Sequence, residues 1–238
     1  MASSAARVFT VLRRSSFAKQ PWVNGLGFTH EIAVRTTAQS AAVASLCESR
    51  AGEEAKSDPP FLWRLSMADL TAGRCTFSKI PGVNRVLTLL SGELELTIDG
   101  GEMASLPLHV PISFPCDVPT ESVISRPGYD LNLMWSREHA TGKVSLHSED
   151  MRVIPLGGAD ECDGASGALA FAVAIGGEAN VSLITVADDG ATEDEAVERV
   201  VLGEDDAAQV VVDAVALRTT CGLRVDSGRI ALCELFVR

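Results

Sequence analysis

"FLWRLSMADL", residues 61–70, alternates apolar and polar side chains with a period of two. The alternation puts Trp63 and Leu65 on one face of the segment and Arg64 and Ser66 on the other. A period of two is that of a β-strand whose two faces differ in polarity. The segment therefore predicts a strand with one face in a core and a polar face that could carry function.

The same period recurs further along the chain in "DLNLMWSR", residues 130–137. Here Asp130 and Asn132 share the face opposite Leu131 and Leu133. The segments "ESVISRPG" and "GKVSLHS" also predict short strands.

"RVLTLLSGELELTIDGGE", residues 85–102, predicts a hairpin. Its strands lie near 85–90 and 93–98, with a turn at Ser91-Gly92 between them. A second turn at 99–101 follows, where Asp-Gly-Gly supplies residues that accept positive φ.

The second half of the chain is also rich in strands, which Gly and Asp turns separate. "ATEDEAVERVVL", residues 191–202, could hold one or two helical turns, and its acids predict a solvated face. A dense succession of short strands is typical of a sandwich or an open barrel, so we predict an all-β fold.

The length and charge of the chain limit its partners. Its 238 residues, of which 46% are hydrophobic, suffice for one large β domain or two small fused ones. No apolar run approaches the roughly 20 residues that span a bilayer. A formal net charge of −12 argues against nucleic acid and anionic membranes as partners. A small anionic ligand therefore needs a few local arginines.

The first thirty residues contain no acid and several cations, which suits a mitochondrial transit peptide. We prefer an opening strand, because "ARVFTVL", residues 6–12, is short and rich in β-formers. Six cysteines occur without a C-x-x-C pair, which favours reduced thiols in an intracellular, cytoplasmic protein.

"QPWVNGLGFTHEIAV", residues 20–34, fits none of three common site motifs. The sixth position of a dinucleotide fingerprint is His30 rather than Gly, and the chain has no H-x-H, H-E-x-x-H or G-x-S-x-G motif. We expect no metal and no cofactor. The glycines predict a tight backbone path that presents Trp22 and Asn24 at a fixed angle.

Two segments stand apart by composition. Residues 36–60 are rich in Ala and Ser and end in Pro-Pro, which predicts a long mobile insertion loop. Residues 188–206 hold nine acids against one Arg. Both segments are candidate docking surfaces if the protein is an interaction scaffold.

Several separated blocks resemble the HutD/Ves family of double-cupin proteins, and together they span about 115 residues. The blocks, in the order in which they occur, are Pro21-Trp22-x-Asn24-Gly25-x-Gly27-x-Thr29-x-Glu31-Ile32-Ala33, Trp63-Arg64-Leu65-Ser66-x-Ala68, Phe77-Ser78, Pro81-Gly82-Val83-x-Arg85, Leu89, Gly92, Phe114-Pro115 and Asp130-x-Asn132-x-Met134-x-x-Arg137. The chain departs from the usual pattern at Val23, Leu26, His30, Asn84 and Cys116.

The resemblance implies a bicupin, a double-stranded β-helix with approximate lobes 1–147 and 148–238. It also implies a protein that is associated with histidine utilisation and holds no metal. Such a protein would bind an intermediate such as N-formylglutamate or urocanate and so moderate the pathway. Small-molecule sites of barrels lie at the barrel mouth, which one face of such strands can line.

The candidate ligand-binding residues are polar or aromatic side chains of these blocks: Trp22, Asn24, Thr29, Glu31, Arg64, Ser66, Arg85, Asp130 and Asn132. Either arginine could grip a carboxylate with two N–H groups. The amides and Thr29 could read an amide or formyl group, and a carboxylate could orient an arginine. The alternative is that ion pairs between these arginines and acids only stabilise the sheet.

We expect a binder of a small carboxylate with a regulatory role rather than an enzyme. An isomerase or dehydratase that uses Glu31 or Asp130 as general base, assisted by Arg64 or His30, is the second hypothesis. A protein-interaction scaffold is the third. The expected partners are a small anionic metabolite and, as a possible assembly, a second copy in a homodimer.

Overall fold

The computed structural model describes residues 8–22, 27–36, 60–156, 167–186, 192–213 and 221–238. These residues form fifteen β-strands and one short 3-10 helix at Arg14–Ser16. None of their helices is long and apolar enough to cross a membrane. The predicted all-β class with two β lobes is confirmed.

The chain divides into two compact units. One, here called the motif unit, is Ala18–Ala140, and the other, the terminal unit, is Met1–Phe17 with Thr141–Arg238. The division differs from the expected lobes 1–147 and 148–238, because the first strand pairs in the sheet of the terminal unit.

The motif unit contains an eight-stranded sheet in the order β2-β3-β4-β9-β6-β7, with β5 on β9 and β8 on β6. Its strands are β2 (Ala18–Pro21), β3 (Phe28–Arg35), β4 (Trp63–Leu70), β5 (Gly73–Thr76), β6 (Val83–Ile98), β7 (Ala104–Ser105), β8 (Ile112–Pro115) and β9 (Thr120–Ser136). All the pairs are antiparallel.

The terminal unit contains a seven-stranded sheet in the order β1-β14-β11-β15-β12-β13, with β10 on β15. Its strands are β1 (Val8–Leu12), β10 (Ala140–Pro155), β11 (Gly167–Ala174), β12 (Ala179–Val186), β13 (Thr192–Leu202), β14 (Ala207–Asp213) and β15 (Cys221–Val237). Its core contains buried Ala, Val, Leu and Ile side chains of β11, β12, β14 and β15.

The hairpin predicted for residues 85–98 is wrong, because both predicted strands belong to the single strand β6. Ser91 and Gly92 form a bulge rather than a turn, and the register against β9 shifts on both sides of Ser91. Bulges bend a strand without reversing it. The predicted turn after Ile98 is present, with Asp99 at φ 53° and Gly100 at φ 69°.

The bend in β6 needs glycine on both strands. Gly92 has a φ of 90°, and a Cβ at Gly128 on β9 would lie 2.1 Å from the carbonyl oxygen of Ser91. On one side of this close approach β6 pairs with β8 and β9 pairs with β4. On the other side β6 pairs with β7 and β9 pairs with β5. The two long strands therefore serve both halves of a barrel-like sheet.

The helical turns considered for residues 191–202 are also wrong, because Thr192–Leu202 is strand β13. It pairs with β12 through two register shifts. Pairing with a neighbouring strand overrides the local helix propensity of such a segment. Most of the expected insertion loop at 36–60 lies outside the described residues, which omit 37–59.

The opening strand is confirmed, since Val8–Leu12 pairs with Ala207–Val211 of β14. The cations that follow it meet two buried acids of the 188–206 segment. Arg13 Nη1 lies 2.6 Å from Asp206 Oδ2, and Arg14 forms an ion pair with Asp205. These two acids therefore hold the N-terminal strand to its unit and are not part of a free acidic surface.

Candidate functional site

One face of the motif unit collects polar side chains from adjacent strands. In the register of β4 and β9, Ser66 lies opposite Asn132 and Ala68 opposite Asp130. Glu31 of β3 lies opposite Ser66 on the other side of β4. Side chains that face one another across antiparallel strands lie on the same face of a sheet. The candidate residues of three separate blocks thus share one surface, here called the polar face.

The polar face exists because the alternate positions are taken by apolar side chains. Trp63 and Leu65 of β4 and Leu131 and Leu133 of β9 are all buried on the opposite face. Moving either strand by one residue would exchange the two sets. The predicted pairing of Arg64 with Ser66 on one face, and of Asp130 with Asn132, is therefore confirmed.

Arg85 reaches the polar face from β6, where it lies opposite Met134 of β9. Only 8% of its surface is exposed, and its guanidinium carbon stands 4.8 Å from the ring centroid of Phe77 and 5.9 Å from that of Phe114. A guanidinium held over aromatic rings keeps its N–H edges free. The Nε of Arg85 has no hydrogen-bond partner among the described residues.

Arg64 is held at the margin of the face by two side chains. Its Nη2 donates to Gln20 Oε1 over 3.2 Å, and its Nε lies 3.1 Å from Glu31 Oε2. That separation makes an ion pair. Burial lowers the pKa of Arg64, Glu31 opposes this, and the nearby charge of Arg85 lowers the pKa further. Two cations therefore share the face.

Asp130 and Asn132 form a buried pair on β9. Asn132 Nδ2 donates to Asp130 Oδ1 over 2.5 Å, and 1% of Asp130 is exposed. Burial raises the pKa of Asp130 to about 7, against the charge of Arg85, the Asn132 amide and the backbone N–H of Ala68. Asn132 Oδ1 is buried and has no partner among the described residues.

Trp22 and Thr29 form a hydrogen bond with each other. The indole Nε1 of Trp22 donates to Thr29 Oγ1 over 3.0 Å, and the ring packs against the apolar cluster of Leu87, Leu89 and their neighbours. The structure thus gives both residues a packing role at the end of the polar face. Asn24 lies outside the described residues.

Sequence reasoning missed the aromatic and thiol groups around Arg85. Phe77 is not among the candidate ligand-binding residues, yet its ring contacts the guanidinium. Burial raises the pKa of the Cys116 thiol, and the neighbouring Arg85 opposes this rise. Phe77 and Phe114 stand in blocks that carry the family resemblance, but only the pairing of β8 with β6 brings Phe114 beside Arg85.

The four histidines contact other residues. His30 pairs with Asp69 over 3.0 Å, and His109, His139 and His147 bond to Leu90 O, Ser136 Oγ and Ser145 Oγ respectively. In the part of the chain that the structure describes, no group of three or more His, Cys, Asp and Glu residues could hold a metal ion.

Comparison with protein families finds a match to the family model HutD over residues 14–216. Two bacterial proteins named Ves match a shorter part. That of Citrobacter koseri is 37% identical over 90 residues, 36% of this chain and 46% of its own length. That of Cronobacter sakazakii is 35% identical over 89 residues, 36% of this chain and 49% of its own length. The matched segment thus spans about half the length of each Ves protein.

Two solved structures match nearly the whole chain. HutD from Pseudomonas fluorescens SBW25, in a formate condition, gives a TM-score of 0.65 with 27% identity and covers 97% of this chain and 100% of its own. A conserved protein of unknown function from Pseudomonas aeruginosa PAO1 also gives 0.65, with 22% identity over 97% of this chain and 98% of its own, and supports the fold alone.

Proposed function

This chain belongs to the HutD family, and on that premise we propose that it binds a small carboxylate on the polar face of its motif unit, without a metal. The observation that carries the proposal is Arg85, a buried guanidinium whose Nε has no partner among the described residues. A charged group that is buried at a cost gains most when an anion completes its hydrogen bonds.

The charges of the polar face support an anionic ligand. Arg64 and Arg85 are cations, and Glu31 offsets one of them through its ion pair with Arg64. Asp130 offsets the other only when ionised, and burial raises its pKa to about 7. The face is therefore neutral or positive within a chain whose formal net charge is −12. One added carboxylate is the charge that it accommodates best.

The surroundings of Arg85 suit a small ligand with an apolar part. Phe77 and Phe114 flank the guanidinium, and Leu87 and Leu89 continue the same face of β6. Carboxylate recognition by a planar guanidinium beside apolar walls is typical of small-molecule sites. N-formylglutamate and urocanate have this combination of a carboxylate with a carbon skeleton, and we propose such an intermediate of histidine breakdown as the ligand, with a regulatory consequence.

Calorimetry and thermal shift test this proposal directly. Formate, N-formylglutamate, urocanate, glutamate and histidine are titrated separately into the full chain. A ligand at 100-fold over its Kd should stabilise the fold by about 2.7 kcal/mol. Lack of binding by every carboxylate in the millimolar range would refute the proposal, and binding that survives Arg85→Ala would refute the assigned site.

Asp130 also supports a second candidate function, an isomerase or dehydratase of small acids. A buried carboxyl group whose pKa lies near 7, next to an arginine, has the properties of a general base. Exchange of substrate carbon-bound hydrogen with D₂O, followed by NMR, tests this candidate. Exchange that depends on Asp130 would favour the enzyme over the binder.

We further propose that the protein works in the cytoplasm. Among the described residues the buried Cys116 and Cys233 form no disulfide, and reduced buried thiols are usual in reducing compartments. Fractionation of cells that express the tagged full chain tests the location.

A further inference from the structure

Asn132 presents a hydrogen-bond acceptor, and not a donor, at the polar face. Its Nδ2 is used by Asp130, so its carbonyl Oδ1 is the atom left without a partner among the described residues. A carboxylate ligand accepts hydrogen bonds and cannot donate them, so a bare carbonyl oxygen would repel it. Arg85 Nε–H thus needs a hydrogen-bond acceptor on the ligand, whereas Asn132 Oδ1 needs a donor.

A proton on Asp130 removes this conflict. A protonated carboxyl group donates one O–H, whereas a carboxylate only accepts. Rotation of the Asn132 amide by about 180° exchanges its oxygen and nitrogen, and amide χ2 torsions are broad and close to two-fold. The O–H of Asp130 would then donate to Oδ1 over the existing short contact. The NH₂ of Asn132 would occupy the position that its oxygen holds now.

We propose, resting on the function proposed above, that a carboxylate binds to the polar face together with one proton, which Asp130 takes up and which turns the Asn132 amide to donate to the ligand. The balance is simple: one anion and one proton enter per site, the proton comes from solvent or buffer, and no covalent bond other than the O–H of Asp130 forms.

The charged groups that face Asp130 make its protonation depend on the ligand. Arg85 of β6 favours the ionised form of Asp130, and Arg64 of β4 is already paired with Glu31 of β3. Cys116, beside Arg85, has a raised pKa and stays neutral at physiological pH. An anion placed on Arg85 offsets the one cation that holds Asp130 ionised and adds a like charge nearby. Both changes raise the pKa of Asp130 above about 7.

Proton uptake on binding is the decisive measurement. Formate is titrated into the full chain by calorimetry between about pH 6 and pH 8.5, in buffers that differ in ionisation enthalpy. Above the pKa of Asp130 we expect uptake of close to one proton per formate. The affinity should then fall by about tenfold for each pH unit above about 7.

Two variants distinguish Asp130 from other acids. Asp130→Asn is permanently neutral, and its amide can donate to Asn132 Oδ1 as a protonated carboxyl group would. It should bind formate at pH 8 within about threefold of the wild-type affinity at pH 6, without proton uptake. Glu121→Gln, an exposed acid on the same strand, should keep the wild-type pH dependence.

The outcomes separate this inference from the proposed function. Formate binding with the same affinity across the pH range and without proton uptake would overturn the coupling and leave the carboxylate site standing. Absence of formate binding at every pH would overturn the coupling, and absence of binding by every other carboxylate as well would overturn the proposed site. Uptake is measured on the wild-type chain, so the result holds even if Asp130→Asn does not fold.

Discussion

Asn132 Nδ2 and Asp130 Oδ1 are 2.5 Å apart, two residues along one strand and both almost completely buried. The contact joins the only two polar side chains of residues 130–135 on β9 and places them beside two arginines of neighbouring strands. A short buried contact to a carboxylate is a strong hydrogen bond whose strength depends on the charge state of the acid. The polar face is therefore expected to respond to pH in its stability as well as in its ligand.

The first prediction concerns the pH dependence of stability. The folded-state pKa of Asp130 is raised from 3.8 to about 7. The stabilisation from this group is therefore complete below about pH 4 and is lost as the pH rises towards 7. Denaturation curves at about pH 5 and pH 8 should show that Asp130→Asn gains stability relative to wild type at the higher pH, by a few kcal/mol in order of magnitude.

The acids with lowered pKa values act outside this range. Hydrogen bonds hold the pKa of Asp206 and of Asp226 below the usual value despite partial burial, so their contribution is present above about pH 4 and lost in acid. The difference between wild type and Asp130→Asn at pH 5 and pH 8 therefore isolates Asp130. An equal difference at the two pH values would show that the pKa is not raised.

The second prediction concerns the two arginines. Arg85→Lys keeps the charge but loses the planar fork that stacks on Phe77, so carboxylate binding should weaken by roughly 1.5–3 kcal/mol. Arg64→Lys should weaken binding similarly if Arg64 also contacts the ligand, and less if Glu31 and Gln20 are its only partners. Calorimetry with formate measures both effects.

Arg74→Lys, on the exposed strand β5, is the matched control and should bind as the wild type does. Unfolding of Arg64→Lys or Arg85→Lys with unchanged binding by the folded fraction would show that the arginine is a structural buttress.

The third prediction concerns the attachment of the first strand. Asp206 accepts from Arg13 Nη1 over 2.6 Å, from the backbone N–H of Arg14 over 2.8 Å and from that of Gly203 over 3.1 Å. Asp206→Ala should cost about 1–3 kcal/mol in urea denaturation, because it removes the acceptor of two backbone N–H groups. Arg13→Ala should cost less than about 1 kcal/mol, because its side chain is 55% exposed. Equal losses of stability in the two variants would contradict the expectation that the backbone N–H groups of Arg14 and Gly203 are the main partners of Asp206.

The fourth prediction concerns the bend shared by β6 and β9. Gly128→Ala would bring a Cβ to 2.1 Å from the Ser91 carbonyl oxygen, which the backbone can relieve only by moving the two strands apart. We expect a loss above about 3 kcal/mol in the free energy of unfolding, or failure to fold. Gly100→Ala is the comparison, since it has φ 69° and nothing within 4 Å of a Cβ. It should lose only about 1–2 kcal/mol.

Much of the polar face could be predicted because strand periodicity is local. The alternation in residues 61–70 and 130–137 assigns each side chain to a face before any pairing is known. Arg64 shares a face with Ser66, and Asp130 with Asn132, as predicted, and the pairing of β4 with β9 brings the two pairs onto one surface. The same local reasoning failed at Ser91-Gly92, because a turn and a bulge use similar residues. Only the presence of β9 along the whole length of β6 distinguishes them.

The sequence by itself determined the all-β class, the two-faced strands and the residues that carry polar chemistry, because these follow from side-chain periodicity and composition. The tertiary structure alone decided that β1 joins the sheet of the terminal unit, that Phe77 and Phe114 flank Arg85, and that Asn132 uses its nitrogen on Asp130 and leaves its oxygen bare. Contacts between residues distant in sequence set which charges are buried together, and burial sets the pKa of Asp130.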